Sequence, residues 1–367
     1  MTRTGGRGHF SGGTERYARL ETLDAFGTVP RPSEMKWYLK ALVQNGIACL
    51  PSPLADPLYF QLQRRMGELR RPRFDIRFQA ALEIAASLAT GTRSVADRDV
   101  LEVGTGRTVD LPLGLWLLGA RSITTVDITR LLRVDLVDEA LDHLSRHWPS
   151  LRPQFLEHAP ADLVDERFAV LEAARGLRSE HDLDGLLERT AIRYRAPADA
   201  AALPLREGTI DLVVTFVVLQ HVPPDPMVAI LREGRRLLRE DGEMVHIANT
   251  SDHFSHADPA LSPLHFLRYS ARQWDLIAGN RFMYQNRLRA DDYYHYFASA
   301  GLKVAHRSEL TDARALRDLE AGLPIHADFR GRPAERDAVI RFTARLVRDD
   351  APPPVGPDDN DVDEVPT

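Results

Sequence analysis

Three acids and two glycines carry the chemistry that can be read from this chain. Glu102-Val103-Gly104-Thr105-Gly106 places a carboxylate just ahead of a glycine turn. Glycine removes the Cβ that would block both a tight turn and the approach of a ligand to backbone N–H groups. Asp127 closes Ile123-Thr124-Thr125-Val126 some twenty residues later, where an acid can accept hydrogen bonds from both hydroxyls of a ribose. Asp199 opens Asp199-Ala200-Ala201-Ala202-Leu203-Pro204, and an acid there can accept from an adenine amino group. Singly, each has a plainer reading: a surface acid at 102, a helix cap at 127, an Asx turn at 199. Their common order and spacing argue against coincidence.

These residues need strands that end where they begin. Apolar, β-branched runs predict strands over 100–103, 122–127, 192–195, 211–216 and 243–248, with helices between them, as in a parallel sheet covered on both faces. Each of the three acids then lies at or just beyond the carboxyl end of a strand, where open α/β sheets bind ligands. Helical patterns occupy 35–43 and 78–88, separated by an expected loop over 51–57, and further helices are read at 111–118, 163–174 and 291–300. A helix over 226–238 is expected to stop at Asp241-Gly242. Residues 302–308 form a sixth strand. Period-two alternation of Ile340, Phe342, Ala344 and Leu346 gives a seventh over 339–347, antiparallel to the sixth.

With these residues in place, the chain resembles a class I S-adenosylmethionine-dependent methyltransferase. The resemblance runs from about residue 97 to 248 and onward to 347. It implies an α/β, Rossmann-like, seven-stranded, mostly parallel sheet with an antiparallel last strand, a helical N-terminal extension and helical inserts. It implies S-adenosyl-L-methionine as cofactor, with Glu102, Gly104, Thr105 and Gly106 at its methionine part and Asp127 with Ile128 at the ribose. Asp199 and Ala200 would meet the adenine, with Phe216 closing the segment after strand four. Thr108 stands where the family often has a third glycine. A nicotinamide dehydrogenase would require glycine at 109, which is Val109, and leaves Asp199-Ala-x-x-Leu-Pro unexplained. A non-catalytic scaffold need not retain the three acids. The domain plan is a disordered stretch over 1–15, a helical extension over 16–95 and a methyltransferase domain over 96–348. The last has inserts at about 131–189 and 250–290, and a disordered acidic tail covers 349–367.

Methyl transfer to a protonated oxygen or nitrogen needs a base, and histidine suits neutral pH. His221 follows strand four, and His253 and His256 follow strand five within Asp252-His253-Phe254-Ser255-His256-Ala257-Asp258. This loop is read as closing the substrate pocket, with no metal assigned. Arg268, Tyr269, Trp274 and Arg287 interleave aromatic and cationic groups that suit an organic acceptor. Arg107, inside the glycine turn, is placed to meet a carboxylate. The basic run Arg64, Arg65, Arg70, Arg71 and Arg73 reads as a solvated helix face or a lid for an acidic ligand. A net charge of -6 argues against a nucleic-acid partner, and one cysteine, Cys49, excludes an internal disulfide. The longest apolar runs are too short for a membrane span. The expectation is a cytoplasmic enzyme that methylates a small-molecule acceptor on oxygen, with N-methylation the alternative. The oligomeric state is not readable.

Overall fold

The computed structural model describes residues 36–349. The segments expected to be disordered, 1–15 and 349–367, fall outside this range apart from Asp349. Seven strands form one sheet in the order β3-β2-β1-β4-β5-β7-β6. They are β1 (Asp99–Val103), β2 (Ser122–Val126), β3 (Ile192–Arg195), β4 (Ile210–Phe216), β5 (Leu238–Asn249), β6 (Leu302–Thr311) and β7 (Val339–Arg348). The first five are parallel, and β7 runs antiparallel to both β5 and β6. Strand β1 is buried from Val100 to Val103, because helices cover both of its faces. The strand order reverses between β1 and β4, which opens a crevice at their carboxyl ends.

Among the described residues three α-helices precede the sheet: α1 (Trp37–Ala48), α2 (Ser52–Met66) and α3 (Phe74–Ala89). The expected loop over 51–57 is therefore corrected to a helix. Pro53 lies in the first turn, where backbone N–H groups have no intrahelical partner, so only Pro57 removes a helical bond. Burial of Ala55 and Phe60 on one face offsets that loss. Helix α4 (Asp110–Leu117) follows the glycine turn, and all eight of its residues are buried.

The long β2–β3 connection carries α5 (Val134–Phe155), α6 (Ala161–Ala173) and α7 (Glu180–Arg189). Helix α8 (Pro224–Leu237) does not run on to Asp241-Gly242 as expected. Leu238 is buried and already pairs with Ile210 as the first residue of β5. Asp241 and Gly242 instead fall in an irregular stretch before regular pairing resumes at Glu243. Beyond β5, a cap with α9 (Ala271–Ala278) leads to α10 (Ala290–Ser299) and then β6. Among the described residues no helix is long and apolar enough to cross a membrane.

Candidate active site

The glycine turn leaves β1 with Gly104 at φ +92° and Gly106 at φ +69°. A Cβ on Gly104 would stand 2.2 Å from Val218 Cγ2, so the turn closes against the segment after β4. That segment is itself strained. Val217 has φ +50°, a conformation that costs a β-branched residue about 1–3 kcal/mol. Its N–H donates to Ile247 O at 2.8 Å, which holds it there and seats Val218 on the turn.

Asp127 stands beside the turn. Its Oδ2 accepts from Gly106 N–H at 2.9 Å and its Oδ1 from Thr129 N–H at 3.0 Å. Each oxygen keeps a second acceptor direction, which is what two ribose hydroxyls require. Its backbone accepts from Ala198 N–H at 2.9 Å, stitching the loops after β2 and β3 together. Ile128 is 72% exposed, an apolar side chain presented to solvent directly after the acid. Asp199 is exposed and accepts from Ala201 N–H at 2.8 Å, so the Asx turn does form, on one of its two oxygens. Ala200 is half-buried beside it, and Phe216 is buried in the core at the end of β4. The stretch after Asp199 is pinned to α8, where Glu233 accepts from Leu203 N–H at 2.9 Å.

Glu102 is not a surface acid. It is fully buried, accepts the Thr125 hydroxyl, and burial raises its pKa to about 7. Thr105 is also buried, its hydroxyl bonded to that of Thr125. The charge that faces Glu102 is one the sequence reading missed. Arg77, on α3, donates to Thr105 O at 3.2 Å, and a Cβ on Gly106 would meet its guanidinium at 2.9 Å. The same arginine faces Asp110, which burial likewise raises to about 7. Thr108 hydrogen-bonds Asp110, so the residue in place of the family's third glycine supplies a partner to a buried acid. Nothing in the spacing of the turn signals Arg77, because tertiary packing alone brings it there.

Helix α2 covers the outer side of the turn. The Phe60 ring lies 5.2 Å from the Arg107 guanidinium and 4.0 Å from that of Arg133. Burial lowers the pKa of Arg107. Arg64 pairs with Glu139 on α5, whereas Arg65, Arg70, Arg71 and Arg73 are exposed. The basic run is thus split between one clamp and a solvated face.

The histidines after β4 and β5 do meet. His221 and His253 rings are 4.9 Å apart, and His253 and His256 rings 5.3 Å apart. His221 Nδ1 lies 2.8 Å from Tyr284 O, which fixes the tautomer with its proton on Nδ1. His256 Nε2 is 2.9 Å from the Ser251 hydroxyl. Burial, then His221, His256 and Lys40, push the His253 pKa well below its ordinary value, so its imidazole is neutral near pH 7. Asp252 turns away into the cap, its Oδ2 3.3 Å from His265 Nδ1.

The cap residues fare differently. Trp274 is buried against Phe254, Phe266 and Tyr269, its indole N–H donating to Gln285 O at 3.2 Å. Arg287 donates to the carbonyls of Phe266 and Tyr269. Tyr269 bonds His265 at 3.2 Å, and Arg268 is exposed. Trp274 and Arg287, expected at the acceptor surface, serve the packing of the cap itself. The physical reason is that a polar loop this long must satisfy its own carbonyls when it folds over a sheet edge. Among the described residues no group of three or more His, Cys, Asp or Glu could hold a metal ion.

Residues 163–246 match the family model of a methyltransferase domain. No curated protein matches the sequence significantly. Among solved structures, 1,6-didemethyltoxoflavin-N1-methyltransferase from Burkholderia thailandensis is similar at 13% identity. That match covers 82% of this chain and 92% of the other, with a TM-score of 0.41. Geranyl diphosphate C-methyltransferase from Streptomyces coelicolor A3(2) shares 12% identity over 74% of this chain and 79% of its own, at 0.40. An S-adenosylmethionine-dependent methyltransferase from Mesorhizobium loti shares 14% over 74% and 100%, at 0.38. Likeness this distant carries no argument about what the present chain acts on. The sheet order and the glycine turn at its switch point give the chain the Rossmann-like fold of class I methyltransferases, and residues 163–246 within it match a methyltransferase domain.

Proposed function

We propose that this enzyme methylates an oxygen, a hydroxyl or carboxylate, of a small-molecule acceptor in the cytoplasm, with neither nucleic acid nor membrane as partner. The observation that carries this reading is the meeting of His221 and His253, from the turns after β4 and β5. An O–H nucleophile must lose its proton, and an imidazole that is neutral near pH 7 can accept it. A nucleophile that arrives without its proton, a carboxylate or a free amine, would need these histidines less, so the pair favours the hydroxyl.

In this reading the backbone of Gly104, Thr105 and Gly106 holds the methionine part of the cofactor, with Glu102 beneath. Asp127 takes the ribose hydroxyls with Ile128 beside it, Asp199 with Ala200 reads the amino edge of the adenine, and Phe216 supports the site from the core at the end of β4. The fit rests on the Cβ-free turn and on the unfilled acceptor capacity of Asp127. When bound, S-adenosylmethionine supplies an electrophilic methyl carbon whose bond to sulfur breaks, with the electron pair leaving on sulfur, as the acceptor oxygen attacks. His253, or His221 through its Nε2, receives the acceptor proton. The chain otherwise orients the reactants, and alignment of this kind supplies most of the rate in such displacements.

The test is a thermal shift with S-adenosylmethionine and S-adenosylhomocysteine. Both should raise the melting temperature, because a ligand that binds only the native state stabilises it. Asp127→Ala should abolish the shift. No shift with the wild-type chain at millimolar ligand defeats the cofactor assignment, and an intact shift in the variant removes Asp127 from it. His221→Ala and His253→Ala should lower turnover by about 100-fold, the scale of a lost general base, with little change in the shift.

A further inference from the structure

One guanidinium reaches the glycine turn from a helix that the spacing of the turn does not reveal. Arg77, half-buried on α3, donates from Nη1 to Thr105 O at 3.2 Å, its one hydrogen bond among the described residues. Its Nη2 stands 2.9 Å from the place a Cβ on Gly106 would take, so glycine there leaves the room it occupies. The N–H of the same Gly106 donates to Asp127 Oδ2 at 2.9 Å. Gly106 thus touches a carboxylate through its N–H and a guanidinium through its missing Cβ. Two further acids face Arg77, Glu102 and Asp110, and neither hydrogen-bonds it. Glu102 accepts the Thr125 hydroxyl, and Asp110 bonds Thr108. Burial holds both near 7, so around neutral pH the pair is partly ionised and balances the guanidinium without binding its N–H groups. The Nη2 and Nε donors are left for an acceptor that arrives at the turn.

We propose that Arg77 takes the carboxylate of the cofactor's methionine part in a charge-assisted, forked pair. This rests on the methyltransferase reading of the same turn. In that reading the ribose is held at Asp127 and the amino-acid end follows the backbone from Gly106 to Gly104, which is the backbone Arg77 touches. The role moves away from Arg107, the arginine that the sequence places to meet a carboxylate. The Arg107 guanidinium lies 5.2 Å from the Phe60 ring, on the side of the turn that α2 covers. Helix α3 thereby enters cofactor selection: a thioether nucleoside that lacks the carboxyl group would lose the pair and bind poorly.

The experiment titrates the full-length protein with S-adenosylhomocysteine, and separately with decarboxylated S-adenosylhomocysteine, by calorimetry at low ionic strength. The wild type should bind the first about thirtyfold or more tighter, the scale of hydrogen bonds between charged groups. Removing Arg77 alone would strand two buried acids, so Arg77→Met is combined with Asp110→Asn. In that double variant the preference should fall to about threefold or less, whereas Asp110→Asn alone keeps it. Arg77→Lys retains a cation opposite both acids and loses the fork, and should cut the preference about fivefold. An undiminished preference in the double variant, or in Arg77→Lys should the double variant not fold, overturns the proposal. Loss of the preference in Arg107→Met with the double variant unaffected gives the role to Arg107. If the wild type binds neither ligand, the methyltransferase reading falls and the Arg77 pair with it. If it binds both equally, the Arg77 pair falls alone.

Discussion

Asp110 and Glu102 share a single arginine. Both are fully buried beside the glycine turn, both face Arg77, and Asp110 Oδ1 has no hydrogen-bond partner among the described residues. Burial outweighs the arginine, so each carboxyl titrates near 7 in the native state. In the unfolded chain these groups titrate near 4. Between those limits the native state binds more protons than the unfolded one, so stability from this pair is full in acid and falls as pH rises toward 7. Asp110→Asn should flatten that slope, gaining on the wild type by on the order of 2 kcal/mol between pH 5 and 8. Urea denaturation at several pH values measures it, and parallel curves for the two proteins would show that Asp110 is already ionised without cost. Glu102 and Asp127 were legible as residues of interest because their chemistry repeats at strand ends. Arg77 was not, since no local pattern marks an arginine whose partners are 25 or more residues away in sequence.

At the scale of elements, α2 decides how the turn is covered. Prolines at 53 and 57 read as a loop, yet a proline in the first turn costs no helical bond, and the buried face of Phe60 holds the rest in place. Phe60 lies against Arg107 and Arg133 while Arg64 reaches Glu139, so one helical face clamps the glycine turn and the start of α5. Phe60→Ala should release this clamp and lower the local opening free energy by about 3 kcal/mol, the low end for truncating a buried aromatic. Hydrogen exchange is the direct measurement. Amides of α2 should exchange faster in the variant while those of β4 stay protected, and unchanged protection in α2 would mean that its anchor lies elsewhere. The helix at 224–237 teaches a related lesson. Its expected end at Asp241-Gly242 followed turn chemistry, whereas the buried side chain of Leu238 turned the chain into β5 earlier.

Over the whole molecule, one buried guanidinium joins the cap to the closing strand. Arg289 is completely buried and donates to the carbonyls of Thr250, Asp337 and Val339, the last at 2.7 Å. Thr250 follows β5 directly, Asp337 lies two residues ahead of β7 and Val339 opens it, so the guanidinium ties together the ends of two antiparallel strands. Arg289→Met would take the donor from the carbonyls of Thr250 and Asp337 in a dry interior, while Val339 O would keep the Thr250 hydroxyl at 2.6 Å. Unfolding free energy should fall by about 3–5 kcal/mol, read as a lower urea midpoint. An unchanged midpoint would show that β5 and β7 hold without it.

The sequence by itself determined the strands, their order of use and the glycine turn. Those features rest on local rules: period-two burial, helix periodicity and the φ values that only glycine accepts readily. Tertiary structure alone decided which charges meet. Arg77 beside Glu102, Phe60 between two arginines, and Lys40 over the Phe254 ring bring together residues far apart in the chain. Electrostatic and packing energies depend on distance in space and on burial, and neither is written in spacing along a sequence.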